Sequence, residues 1–184
     1  MFRTILKYGV IAGVIVGGFE IVTFTAFSGI PPLKYGMLIG YTTMLIALSA
    51  VFVGIKHHRD GDRGGVIGFW PAFGVGLCVS AIAGIFYVIG WELVQAMTDM
   101  DFATSYGNAI VANEKAKGAS PEALAKLSSD MAAFKAQYAD PWFRLPMTFA
   151  EIFPVGVLVS LVSAGLLRNS RFLPARRPGG SQLS

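Results

Sequence analysis

Four long apolar runs constrain this chain more than any other feature. They cover residues 8–27, 35–55, 66–97 and 147–168, separated by short polar stretches and one longer polar segment. At helical rise each is long enough to cross a hydrocarbon core of about 30 Å. Inside that core no water pairs with the backbone, so a spanning segment of this kind must satisfy its own N–H and C=O groups as an α-helix. Composition agrees: 54% of the chain is hydrophobic and 14% charged, against roughly 45–50% and 25% in soluble domains. The chain therefore reads as an all-α membrane protein whose first partner is the lipid bilayer. Its net charge of +4 does not point to nucleic acid, because the basic residues gather beside the ends of the apolar runs.

The first run follows Arg3 and Lys7, and small residues near its end imitate a signal-peptide cleavage site. It is longer than a signal h-region and contains Glu20, which favours a retained span. Gly9, Gly13 and Gly17 recur every fourth residue and so line one helix face, where a neighbouring helix could approach closely. Gly36 and Gly40 repeat the spacing in the second span. The paired prolines 31 and 32 mark a turn between the two.

After the second span comes a charged connection, Lys56, His57, His58, Arg59, Asp60, Asp62 and Arg63. Adjacent histidines beside aspartates suggest a metal site, yet neighbouring positions converge on one ion only if the loop folds back, and a solvated connection is expected. Neither a metal nor a cofactor is expected anywhere in the chain. Cys78 is the single cysteine, so no disulfide forms within the chain.

Residues 98–146 hold six acidic and five basic residues and form the one sizeable polar segment. Phe102, Tyr106, Ala109 and Ile110 share a face of one helix, which should stop near Gly118. Ser120 and Pro121 supply an N-cap and a first-turn proline for a second helix, with Leu124, Leu127, Met131, Phe134 and Tyr138 on its apolar face. Two amphipathic helices make a hairpin. The division expected is spans 1–3 in residues 1–97, the hairpin in 98–146, the fourth span in 147–168 and a basic tail in 169–184.

Charge sets the expected orientation. Arg3, Lys7, Lys56, Arg59, Arg63 and the four tail arginines flank one set of span ends, whereas the other side has Lys34 and a charge-balanced hairpin. Both termini are then cytoplasmic and the hairpin extracytoplasmic.

Glu20, Glu92 and Glu151 are the only acids outside polar stretches. A charged side chain at a helix centre costs roughly 2.5–3.5 kcal/mol on insertion scales, so these three are the candidate functional residues. With this orientation all three fall in the outer half. The alternative is that Glu92 and Glu151 reach interfacial water or pair with Lys34 and Arg144. Pro154, just after Glu151, is expected to break the fourth span.

Several segments carry a resemblance. They are residues 41–48, Gly54-Ile55-Lys56, Arg59-Asp60, the stretch 65–76, Lys117-Gly118-Ala119-Ser120, and above all Glu151-Ile152-Phe153-Pro154-Val155-Gly156. Together they resemble the bacterial integral-membrane family catalogued as domain of unknown function 4199. The resemblance implies a four-span protein of the bacterial cytoplasmic (inner) membrane and no assigned activity. Members often carry a basic residue before an aromatic in the region 68–73, where this chain has Trp70-Pro71.

Three functions follow, in order of support. A non-enzymatic membrane or assembly component, joining copies of itself or a membrane-protein partner, rests on the glycine faces and the hairpin. A small proton- or cation-coupled carrier rests on the acids and Pro154. An enzyme comes last, since the chain has no nucleophile-and-base, P-loop, Rossmann or His-Glu-x-x-His pattern.

Overall fold

The computed structural model describes residues 1–26, 33–98 and 101–175. The proline turn at 28–32, the Lys34 side chain and the tail beyond 175 lie outside the described residues. Among the described residues six α-helices form: α1 (Phe2–Ala26), α2 (Leu33–His57), α3 (Phe69–Met97), α4 (Phe102–Ala116), α5 (Pro121–Tyr138) and α6 (Pro141–Leu167). A π-helical turn, His58–Asp62, extends α2. Helices α1, α2, α3 and α6 are long and apolar enough to cross a membrane. Large apolar side chains such as Val14, Leu38, Ile46, Leu158 and Val162 remain exposed around the bundle. That coat would be costly in water and suits lipid. The molecule is a multi-pass membrane protein.

Neighbours around the bundle run α1, α3, α6, α2, and α2 meets α3 across the diagonal. The α1–α3 contact is parallel and in step. A Cβ added at Gly9 would meet Ile82, one at Gly13 would meet Phe86, and at Gly17 the two backbones touch through Phe86 and Gly90. Missing side chains are what allow this approach, as the four-residue glycine spacing suggests. Helices α3 and α6 run antiparallel with small residues interleaved: Gly76 faces Ser160, and Ser80 faces Gly156. Ser80 Oγ donates to the Gly156 carbonyl at 3.2 Å and lies 3.2 Å from Ser160 Oγ. Leu48, Val51, Ile55, Val79, Ile152 and Leu167 fill the centre.

Local chemistry places the hairpin. The Asp101 carboxylate accepts the Thr104 amide at 3.0 Å and starts α4, and Gly118 ends it with φ +85°. Ser120 Oγ accepts the Ala123 amide at 3.2 Å and Pro121 opens α5. Asp140 accepts the Trp142 amide at 2.9 Å, so α6 starts at Pro141, six residues before the expected fourth span. The helix then runs through both Pro146 and Pro154. The expected break at Pro154 does not occur. Proline removes one backbone donor, and beyond it the contacts of Gly156 and Ser160 with Ser80 hold the continuing helix against α3.

Candidate functional site

Towards the hairpin the four spans part and line a half-open cavity of about 450 Å³. Glu20 of α1 and Glu151 of α6 supply its acidic groups, and Tyr87 of α3 stands with them, while Tyr41, Tyr106 and Tyr138 also line it. Tyr87 Oη donates to Glu151 Oε2 at 3.0 Å. A phenol has one proton, so it serves one carboxyl at a time. Glu20 neighbours both Tyr87 and Glu151. Its residue is 8% exposed, and Oε2 is buried with no hydrogen-bond partner among the described residues. That oxygen rests on α3, 2.9 Å from where a Cβ at Gly90 would stand. The close glycine approach of α1 to α3 is thus also what carries Glu20 across to the facing helix. Glu151, by contrast, is exposed where it lines the cavity.

Glu92 does not join them. Arg144 grips it through Nε to Oε1 and Nη2 to Oε2, both 2.7 Å, and donates Nη1 to the Tyr138 carbonyl at 3.2 Å. Such a planar fork matches a carboxylate well and ties α3 to α6. Two of the three glutamates therefore share a site, and the third is spent on an ion pair, one of the alternatives open from sequence. The glycines divide similarly. Gly9, Gly13 and Gly17 pack on α3, whereas Gly36 and Gly40 line the cavity. A Cβ at Gly40 would meet nothing within 4 Å among the described residues, so no helix among them packs on it.

Aromatic rings form the cavity wall nearest the hairpin. Trp91 and Phe102 meet edge to face at 4.8 Å, Phe102 lies 5.7 Å from Tyr138, and Phe134 lies 5.3 Å from Tyr138. Trp91 Nε1 donates to Tyr138 Oη at 2.6 Å. Burial lifts the Tyr138 phenol to about 12, although the Trp91 N–H and the Arg144 charge pull it down. The hairpin's aromatic stripe thus both packs and faces the cavity. Trp91 is buried at 6% exposure, not an anchor at the lipid interface as its place near the end of a span suggests. Tyr87 escaped sequence reasoning altogether. The one available signal is its place four residues before Trp91, on the same face of α3.

A family model described as protein of unknown function (DUF4199) matches residues 7–169. The chain belongs to the DUF4199 family. No match is found among curated proteins or among solved structures. The matched region of this DUF4199 protein takes in Glu20, Tyr87, Glu151 and the whole hairpin.

Its opposite end is closed by a residue whose role the sequence did not reveal. Arg59, expected in a solvated connection, is fully buried. The π-helical turn carries the helix on past His57 and directs this side chain into the bundle. Its guanidinium donates to the carbonyls of Leu167 at 3.4 Å, Phe172 at 2.9 Å and Leu173 at 2.5 Å, and Nε donates to Asp60 at 2.6 Å. Arg59 therefore caps the C-terminus of α6, where carbonyls lack helical partners and a cation suits the dipole. Asp60 also pairs with Lys56, and Asp62 with His58 Nδ1 at 2.7 Å. The aspartates and His58 Nδ1 are committed to these pairs, His58 Nε2 is buried with no hydrogen-bond partner among the described residues, and His57 packs against the ring of Tyr8.

Proposed function

We propose that this DUF4199 protein is a non-enzymatic component of a bacterial inner membrane, with both termini cytoplasmic, that receives a ligand from outside into the cavity beneath its hairpin. The carrying observation is Glu20, a buried carboxyl with an oxygen that has no partner among the described residues, held beside Glu151 and Tyr87 at a cavity. Buried acids inside a span are costly, and a bundle that needed only packing would do better with an apolar residue. Orientation rests on Arg3, Lys7, Lys56, Arg59, Arg63, Arg168 and Arg171 at the far end. A proton- or cation-coupled carrier needs the cavity to open alternately at both ends. The Ser80–Gly156–Ser160 contact and the Arg59 clamp close the basic half, which supports a receiving or assembly component over a carrier.

Thiol labelling tests this reading. In a Cys78→Ser background, Ser128→Cys on the hairpin and Met147→Cys at the cavity should both react with a membrane-impermeant reagent in right-side-out vesicles. Ser128→Cys reacting only in inside-out vesicles would reverse the orientation. If Ser128→Cys reacts and Met147→Cys does not, the cavity is closed and the ligand reading fails.

A further inference from the structure

We propose that the ligand of this cavity is an organic cation, a protonated amine on an apolar body of about aromatic-ring size. The inference rests on the cavity being a ligand site, as argued above, and adds the chemical class.

Charge decides the sign. The cavity is lined by two carboxyl residues and by no lysine or arginine among the described residues. Arg144, the cation closest in sequence to Glu151 in α6, is already neutralised by the Glu92 fork and does not line the cavity. Tyr87 gives its proton to Glu151, and the buried Oε2 of Glu20 is left as an acceptor for which no described residue supplies a donor. An ammonium group reverses that imbalance, since it brings up to three donors and no acceptor. An anion would add acceptors to a site already short of donors.

The walls decide the rest. Trp91, Phe102, Phe134 and Tyr138 present aromatic surface, and ring faces attract cations through their quadrupole. A bare hard cation such as calcium takes roughly six to eight oxygen ligands in one shell, whereas this lining is largely apolar and the described residues hold no group of three or more His, Cys, Asp or Glu side chains able to converge on an ion. A neutral apolar molecule would bury the carboxyls without giving them partners. At about 450 Å³ the cavity is within the usual size of small-molecule sites, larger than one ion requires. A body carrying one cationic head and one apolar ring meets all of these conditions.

The test uses the full-length Cys78→Ser protein in right-side-out vesicles, with Met147→Cys as sensor and Ile39→Cys on the facing helix as a second. Cationic 2-(trimethylammonio)ethyl and anionic 2-sulfonatoethyl methanethiosulfonate are compared, with Ser128→Cys as the reference thiol outside the cavity. Relative to that reference, the cationic reagent should be favoured by about tenfold or more, as expected for an acidic cleft. 2-Phenylethylammonium should slow the reaction at both sensors, 2-phenylethanol should not, and Glu151→Gln should abolish both effects. Equal rates for the two reagents with no protection by 2-phenylethylammonium would overturn the cation assignment while leaving the open cavity standing. Equal protection by 2-phenylethanol would assign a neutral ligand instead. Sensors that stay unreactive beside a reactive Ser128→Cys would remove the ligand site itself.

Discussion

Replacing Gly13 by alanine should loosen the contact that organises the hairpin half of the bundle. The added Cβ would stand 2.4 Å from Cβ and 2.6 Å from Cγ of Phe86. Carbon atoms in contact settle at about 3.5–4.0 Å, so the atoms must separate by about 1 Å. Phe86 cannot relieve this by changing rotamer, because its Cβ is fixed to the α3 backbone; the helices themselves must move apart. Overpacking of this kind costs about 1–3 kcal/mol, and the helix propensity gained over glycine returns about 1 kcal/mol at most. A net loss of up to about 2 kcal/mol is expected, and a deficit of about 1–3 kcal/mol relative to an alanine placed where it meets no neighbour. Gly18→Ala is the internal control, since a Cβ there meets nothing within 4 Å. Reversible unfolding in mixed micelles with increasing dodecyl sulfate measures both variants. Equal stability of Gly13→Ala and Gly18→Ala would refute the close parallel pairing of α1 and α3.

Arg59→Ala should cost about 3 kcal/mol or more by leaving three carbonyls without their cationic donor, and Arg59→Lys should recover only part of this because an ammonium cannot reproduce the fork; proteolysis within residues 168–175 should accelerate in step. In the hairpin, Lys135 and Thr104 hold the Asp101 carboxyl down to about 2 from an ordinary value of 3.8. A carboxyl lowered on folding contributes stability above its unfolded value and loses it as pH falls through the folded one, so helical circular dichroism should reveal a loss between about pH 4 and 2 that Asp101→Asn lacks. For Glu92 and Arg144, a double-mutant cycle with Glu92→Gln and Arg144→Gln should give a coupling of about 1–2 kcal/mol, above an exposed pair because Arg144 is only 15% exposed; a coupling near zero would mean the fork is idle.

Much of this architecture was legible in the residues. Hydropathy located the four spans, and the signals at Gly118 and Ser120-Pro121 marked where α4 gives way to α5, whereas α6 begins at Pro141 and not at residue 147. The spacing of Gly9, Gly13 and Gly17 correctly marked a close-packed face. What could not be read was which helix would fill it, because Ile82, Phe86 and Gly90 form no motif of their own. The acids show the same limit. Position along a span gives depth, so Glu20, Glu92 and Glu151 all read as belonging to the outer half. Direction around the bundle depends on packing between helices, and it is this that joins Glu20 to Glu151 and turns Glu92 toward Arg144. Arg59 was hidden for a related reason: a π-helical turn rotates every later residue, and nothing in the local composition announces it.

The Arg59 clamp has a consequence for the order of biogenesis. Arg59 and Leu167, which it caps, are 108 residues apart in the chain. At about 5–20 residues per second of synthesis, the arginine emerges about 5–20 s before its acceptors exist. During that interval the second span must be held in the bilayer by hydropathy and its flanking charges alone, and the small-residue face of α3 waits uncovered. Arrival of α6 covers that face and supplies the carbonyls together. A ribosome that stops short of the last span therefore leaves a nascent chain displaying a bare guanidinium and an unpaired helix surface, the two features by which a membrane protease could tell an unfinished molecule from a complete one.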